Sequence, residues 1–453
     1  MSGNAMAPTG AGQRWKPYPD YRNSGVEWLG DIPAHWTLKR LRFACDINPR
    51  KSEIAALPPD TGVSFLPMEK IGQDGTYVLD ETRTLDQVWQ GYTYFRERDV
   101  VVAKITPCFE NGKGALFRGL FSGIGFGTTE LHVLRASADT WPEFVFYLTR
   151  LHSFRHLGSA MMYGAAGQQR VPEDFIKDFV AGFPPLSEQR AIADFLDRET
   201  ARIDTLVAKQ ERLIALLQEK RAALISHAVT KGLDPDVVMK DSGTPWLGEI
   251  PAHWELVRLK FLTKKPLQYG ANEAAQINNP DLPRYIRITD ISEDGSLREN
   301  TFRSLPFEAA ADYLLEPGDL LLARSGATVG KSFMYQESWG TACYAGYLIR
   351  FRPDLTVVEP RFILYFVNSP AYWSWLSSIF IQATIQNVSA EKYANLLVPV
   401  PPLVEQRAIA AHLDRETAKT DALVAKAQEI IGRLQEYRTA LISAAVTGKI
   451  DVR

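Results

Sequence analysis

Ser24–Phe43 reads SGVEWLGDIPAHWTLKRLRF and Ser242–Phe261 reads SGTPWLGEIPAHWELVRLKF, sharing 14 of 20 positions at an offset of 218. Farther on, Glu188–Lys209 (EQRAIADFLDRETARIDTLVAK) and Glu405–Lys426 (EQRAIAAHLDRETAKTDALVAK) share 17 of 22 at an offset of 217. Between these joints the two middle stretches have drifted apart. Joints that stay alike around middles that diverge describe one scaffold written twice, carrying two different readers.

A chain of 453 residues, 45% hydrophobic and 11% aromatic, has enough apolar material for two or three ordinary domains. No run approaches the roughly 18 apolar residues of a membrane helix, and the first twenty residues lack the apolar core of a signal peptide, so the expectation is a cytoplasmic protein with no membrane partner. Cys45, Cys108 and Cys343 are odd in number and far apart. They make neither a disulfide framework nor a metal clip, which fits a reducing compartment. The net charge of −2 speaks against a nucleic-acid partner, because neutralising phosphates needs Lys and Arg. Total charge hides distribution, however: Lys39, Arg40 and Arg42 precede Arg50 and Lys51, and Arg258 and Lys260 precede Lys264 and Lys265. Such clusters are either local basic faces or solvated surface.

The pattern predicts a mobile N-terminal segment over residues 1–20, a mixed α/β domain over 21–186 and a long helix over 187–231. A second mixed domain spans 232–402, with a linker at 232–241, and a second long helix spans 403–449. In the first middle the strands are Val100–Ile105, Gly114–Phe117 and Glu130–Leu134, followed by a helix from about Trp141 to Leu157. In the second, Asp319–Arg324 answers Asp99–Lys104, Lys331–Tyr335 is the next strand, and Pro360–Trp375 is the answering helix. Each middle ends in Pro-Pro-Leu, at 184–186 and 401–403. Ser187 then has the character of an N-cap, with Glu188 in the first turn. Leu196, Ile203, Leu217 and Leu224 form one heptad row beside Leu206 and Leu213; Leu413, Leu434 and Leu441 form another beside Leu423 and Ile430. Neither helix contains proline, so each can run about 40 residues, or roughly 60 Å. An apolar seam of that length needs a partner, and the nearest is its own repeat. The fold class is therefore α+β: two mixed α/β domains in pseudo-twofold tandem repeat, joined by two long helices in an antiparallel coiled coil. The alternative packs one helix on each domain as ordinary core.

Catalytic motifs fail on inspection. Gly326-Ala-Thr-Val-Gly-Lys-Ser332 resembles a phosphate loop, but three residues separate its glycines where four are needed, and a strand follows where a helix N-terminus is required. It reads as a hairpin loop, as does Asn111-Gly112-Lys113. His152 and His156 stand at helical spacing with no third metal ligand. His35 and His253 recur inside Ile-Pro-Ala-His-Trp with no duplicated nucleophile beside them, so packing or a hydrogen bond is their reading. The chain carries no Gly-rich dinucleotide fingerprint, GxSxG elbow or Asn-Pro-Pro-Tyr.

Taken in order, the duplicated Ile-Pro-Ala-His-Trp opening, the Pro-Pro-Leu-x-Glu-Gln-x-x-Ile-Ala closing and the long helices with Leu-Ile-Ser-x-Ala-Val-Thr resemble the specificity subunit of type I restriction-modification systems. The resemblance runs from about Tyr18 to Lys449. It implies a non-catalytic chain whose middles are target recognition domains, each reading one half of a bipartite site in double-stranded DNA, with the helices as spacers. Two methyltransferase subunits and, for cleavage, restriction subunits assemble on such a chain. It further implies no cofactor on this chain, S-adenosylmethionine on the methyltransferase partner, and ATP and magnesium on the restriction partner. The middles differ, so the expected site is asymmetric. Base edges are read by side chains with paired donors and acceptors, and the candidates are the corresponding loop tips. These are Lys104, Thr106, Asn111 and Lys113 in the first domain, and Arg324, Ser325, Thr328 and Lys331 in the second. The later polar turns add Gln168, Gln169 and Arg170, and Gln386 and Asn387. Arg190, Arg198, Arg407 and Arg415 are candidates for partner binding, unless they serve as helix ion pairs. Readings from other classes are a coiled-coil scaffold without DNA and a stand-alone nuclease or methyltransferase.

Overall fold

The computed structural model of the protein describes residues 15–165, 167–274, 276–292, 295–380 and 387–453. It divides into two compact units: residues up to Gln210 together with Glu429–Arg453, and Glu211–Gln428. Each unit thus holds one middle, half of one long helix and half of the other. This partition cuts across the expected division into whole domains and whole helices.

In the first unit the opening joint folds back on itself, Tyr21–Asn23 pairing antiparallel with Asp31–Pro33. Thr37–Arg40 then pairs antiparallel with Val180–Phe183, the strand that leads into the proline joint. The long helix Leu186–Lys231 follows. Its buried Glu188 lies 2.8 Å from His35 Nε2 and accepts the Trp36 indole N–H at 2.9 Å. The second unit repeats this arrangement: Glu255–Arg258 pairs with Leu397–Val400, and Glu405 meets His253 at 2.8 Å and Trp254 at 3.1 Å. The two duplicated stretches stay alike because they are the two halves of one clasp. Glu188→Ala strands a buried indole donor, which costs about 1–3 kcal/mol. Thermal unfolding of the first unit should fall accordingly, and an unchanged midpoint would remove Glu188 as its clasp.

Each middle is built on a four-stranded antiparallel sheet. In the first the order is Cys45–Ile47, Leu131–Ala136, Val100–Ala103, Gly114–Leu116; in the second it is Gln268–Tyr269, Leu348–Phe351, Leu320–Ala323, Ser332–Met334. A buried ion pair anchors each sheet. Arg135 grips Asp99 through Nε at 2.8 Å and Nη2 at 2.7 Å, and Arg352 grips Asp319 in the same way at 2.9 and 2.7 Å. The middles differ most in their second sheet. It has four strands in the first unit (Thr82–Thr84, Gly62–Leu66, Ile124–Gly127, Thr93–Arg96) but is reduced in the second to the parallel pair Arg284–Ile286 and Ala342–Tyr344.

Four local expectations are corrected. The helix expected from Trp141 to Leu157 is two, Pro142–Thr149 and His152–Ala160. It breaks where Leu151 is extended (ψ 136°) and Arg150 turns inward to the carbonyls of Gly112 and Gln73. The helix expected over Pro360–Trp375 is likewise Pro360–Phe366 and Pro370–Phe380, because Pro370 has no N–H to continue the ladder. Ser187 is not an N-cap: the helix already begins at Leu186, and Pro185 O accepts from the N–H groups of Glu188 and Gln189. Residues 15–20 are packed on the domain rather than separate from it. Trp15 lies edge-on to Phe195 at 4.7 Å, Tyr18 is in the core, and Lys16 O accepts from Asp451 N at 2.8 Å. The remainder of that expected segment, 1–14, lies outside the described residues.

The helices pair antiparallel within each unit. In the first, Phe195, Leu196 and Ile203 share a core with Leu441, Ile442 and Val446, and Arg438 bonds Asp204 at 2.9 Å. In the second, Ile225 and Val229 share a core with Ile409 and Leu413, and Arg221 stands 3.2 Å from Asp421. The seam is one row narrower than the heptads imply. Leu206 (39% exposed), Leu213 (44%), Leu423 and Ile430 face solvent, since two helices alone bury a single stripe.

Candidate nucleic-acid interface

The strand Val100–Ala103 runs out at Lys104, and the loop to Gly114 begins there. Lys104 N donates to Glu130 O at 2.9 Å, while its own carbonyl accepts from Val171 N at 2.8 Å. Lys104 therefore sits between two later segments of the chain. Thr106 locks the loop against the turn before Val171: its N–H donates to Gln169 O at 2.9 Å, and its hydroxyl accepts from Gln169 N at 3.1 Å. Arg170 reaches back to Glu130 with both Nε and Nη2 at 2.8 Å. Hydrogen bonding to that guanidinium holds the Glu130 carboxyl below the ordinary glutamate range, so the pair stays ionised at neutral pH.

The second domain builds the same frame. Arg324 N donates to Tyr347 O at 3.1 Å, and Arg324 O accepts from Val388 N at 2.8 Å. The Arg324 guanidinium lies over the Tyr269 ring, 4.5 Å from its centroid, and Ser325 is bridged to Asn387. Both loops turn at a glycine with positive φ, Gly112 at 73° and Gly326 at 79°, a conformation that penalises a Cβ.

The structure thus brings Lys104, Thr106, Gln169 and Arg170 together in one domain, and Arg324, Ser325 and Asn387 in the other. Gln168 is exposed beside Arg170, and its carbonyl accepts from Arg170 Nη1 at 3.3 Å. Other candidates stand apart. Lys113 is committed to Met68 O at 3.0 Å, bracing a neighbouring segment. Asn111 is exposed at the tip of the same loop. Thr328 closes its turn through Lys331 N at 3.0 Å. Lys331 lines a separate cleft of about 660 Å³ with Arg221, Arg361, Tyr365, Asn368 and Trp373. Gln386 lies outside the described residues.

Of the basic clusters, the first is largely neutralised: Lys39 pairs with Asp139 at 2.5 Å, and Arg40 and Arg42 with Asp178. Arg50 and Lys51, by contrast, line a cleft of about 600 Å³ shared with Lys104, Asn48, Tyr92 and Tyr94. Cations and tyrosines converging on a concave face suit a polyanion carrying aromatic bases.

Comparison with known proteins places this architecture. A family model described as Type I restriction modification DNA specificity domain matches residues 251–431. Over 95% of the chain, and 86% of the relative, the sequence is 24% identical to the Type I restriction enzyme EcoEI specificity subunit of Escherichia coli. Over 40% of the chain, and 30% of the relative, it is 39% identical to the Type I restriction enzyme EcoAI specificity subunit of the same species. The chain is similar to type I specificity subunits along nearly its whole length. Two solved structures share the fold. One, from work on complex assembly and conformational transition of the type I R-M system, superposes at a TM-score of 0.72 with 22% identity. The other is the HsdS subunit from Thermoanaerobacter tengcongensis, at 0.54 and 20%. Each match covers 92% of this chain and 98% of the other.

Of the arginines considered for partner binding, Arg190, Arg198 and Arg407 are engaged within their own domain rather than in i, i+4 ion pairs. Arg190 lies over the Trp141 ring, 4.2 Å from its centroid. At the corresponding place Arg407 stands 3.8 Å from Glu359. Arg198 is 3.9 Å from its neighbour Glu199, and Arg415 is exposed. All four keep exposed side chains. The residues that sequence reasoning missed are Glu130, Tyr269 and Tyr347. A signal for two of them was present, because the duplication sets Glu130 against Tyr347 once the strands Leu131–Ala136 and Leu348–Phe351 are aligned.

Proposed function

We propose that this chain is a type I specificity subunit that reads a bipartite, asymmetric site in double-stranded DNA, one half with each middle domain. On this reading it seats two methyltransferase subunits, and restriction subunits where cleavage occurs. The observation that supports this most is the repeated frame with unlike side chains: Lys104 and Arg324 make equivalent backbone hydrogen bonds, yet the positions of Glu130 and Arg170 in one copy are taken by Tyr347 and Asn387 in the other. A scaffold that only bound protein would have no use for two different polar surfaces on one frame.

In this role the reaction chemistry belongs to the partners, S-adenosylmethionine to the methyltransferase subunits and ATP and magnesium to the restriction subunits. The work is done in the cytoplasm, and no helix among the described residues is long and apolar enough to cross a membrane. Within the reading domains, Lys104, Arg50 and Lys51 serve the phosphates, while Gln168, Gln169, Arg170, Arg324, Ser325 and Asn387 serve base edges. Arg190, Arg198, Arg407 and Arg415 give partner subunits two equivalent places to dock.

Co-expression with the methyltransferase subunit in a host lacking adenine methylation, followed by mapping of modified adenines, tests the reading. A split, asymmetric motif with one methylated adenine in each half is expected. A complex that assembles and modifies nothing would overturn it. The helices should act as the ruler between the halves: one heptad added to each, at matched positions, adds about 10 Å. The unread gap should grow by about three base pairs while both half-sites stay the same, and an unchanged gap would discard the ruler.

A further inference from the structure

The equivalence of the two frames sorts residues by what duplication has kept and what it has exchanged. Behind the frame, Asp99–Arg135 and Asp319–Arg352 keep both residue types and both bonds. At its mouth the backbone hydrogen bonds persist, from Lys104 N to Glu130 O and from Arg324 N to Tyr347 O. The side chains there do not: Glu130 has become Tyr347, and Arg170, one residue before Val171, has become Asn387, one residue before Val388. Residues needed to hold the frame would have been retained with it. A pair exchanged together on an unchanged frame is where the two domains differ in what they recognise.

We propose that Arg170 is a base-reading residue of the first domain, that its target is a guanine, and that Glu130 is the positioning residue that fixes its guanidinium. This rests on the DNA-reading role proposed above. The guanidinium spends its Nε–Nη2 edge on the two Glu130 oxygens, both at 2.8 Å. Gln168 O takes a further contact from Nη1 at 3.3 Å. The Nη1–Nη2 edge is left to point away from Glu130 with its plane already set. The backbone beneath is equally fixed. Arg170 exchanges hydrogen bonds with Tyr163 (2.9 and 3.2 Å), and Thr106 holds Gln169. Two parallel donors held in a plane match the O6 and N7 acceptors of guanine in the major groove, and no other base offers two acceptors there. A lysine can also reach O6 and N7, but its single rotatable ammonium lacks the planar, pre-set pair of donors. Carboxylate pairing also removes rotamer freedom before DNA arrives, so less of it is lost on binding.

The test uses the full chain assembled with its methyltransferase subunits, and duplexes carrying the mapped site with every single-base change in the first half. For the wild type, one G·C position is expected to discriminate by roughly 5- to 150-fold. Arg170→Lys keeps the charge, and with it any phosphate contact, but loses the paired donors. It should reduce discrimination at that one position several-fold and leave the other first-half positions and the whole second half intact. Glu130→Gln should weaken the same position by a smaller factor, and Glu130→Asp should restore part of it. A purely structural role for Glu130 would depress methylation on all duplexes alike. Unaltered preference in Arg170→Lys, a uniform loss across every position, or a first half without a discriminating G·C pair would each overturn the assignment. These failures are separable from failure of the broader reading, in which the wild-type complex itself would show no split motif.

Discussion

If the chain reads DNA as proposed, replacing residues 25–183 with the corresponding segment of a type I specificity subunit is expected to change one half of the recognised site completely and leave the other half, and the modified adenine within it, untouched. The exchange begins inside the opening joint and ends at the strand Val180–Phe183, so the new segment brings its own copy of the strand that pairs with Thr37–Arg40. It must also meet Glu188 and the Phe195, Leu196 and Ile203 face of the long helix. Glu188, and the chemistry of His35 and Trp36 that contacts it, belongs to the stretch that duplication has preserved, which is why a foreign middle should seat. The second unit keeps its own clasp between Glu405 and the His253–Trp254 pair, and its own buried Asp319–Arg352 pair. Specificity differences of several kcal/mol per half-site are at stake, since each mismatched base pair typically costs about 1–3 kcal/mol. Adenine mapping reads the result directly. A motif altered in both halves, or in neither, would show that the two domains do not read independently.

What the sequence made legible follows from the range over which its signals act. Duplication is visible at any distance, so the joints, the paired long helices and the order of strands could be laid out from residues alone. Side-chain partners across the sheet could not. Lys113 looked available at a loop tip, but its ammonium is held by a carbonyl 45 residues earlier, at Met68. Arg170 looked like one of three polar turn residues, and only the fold reveals its carboxylate partner 40 residues back. The break at Arg150–Leu151 was hidden because the apolar spacing of Trp141–Leu157 suits one helix as well as two. The inward turn of Arg150 to Gly112 and Gln73 decides between them. The rows Leu206–Leu213 and Leu423–Ile430 were over-read for the opposite reason: periodicity reports which residues share a helix face, not how wide a stripe the partner helix covers.

The largest stability effect is expected from the buried ion pair that both copies retain. Asp99 is 1% exposed. Besides Arg135 it accepts the Arg96 backbone N–H at 2.8 Å, closing the turn that starts the strand Val100–Ala103. Burial works against the charge on the Arg135 guanidinium, but hydrogen bonds to its two carboxylate partners, Asp99 and Glu53, outweigh it and hold the pKa above the ordinary arginine value. Asp99→Ala removes the fully buried partner and leaves a largely buried cation with only Glu53, which is about one-third exposed. Breaking one side of a buried pair typically costs about 3–5 kcal/mol, far more than the pair contributes relative to apolar residues of the same volume. For a unit of this size, that lowers the unfolding midpoint by roughly 6–20 °C. The double variant Asp99→Ala with Arg135→Met should recover much of the loss, because no buried charge remains to be satisfied. Asp319→Ala should do to the second unit what Asp99→Ala does to the first, since Arg352 holds the same two bonds there. Calorimetry on the full chain distinguishes the alternatives. A loss under about 1 kcal/mol would mean that Glu53 and water compensate for Asp99. A double variant no better than the single would place the cost in the unsatisfied Arg96 N–H and the opened turn rather than in the stranded guanidinium.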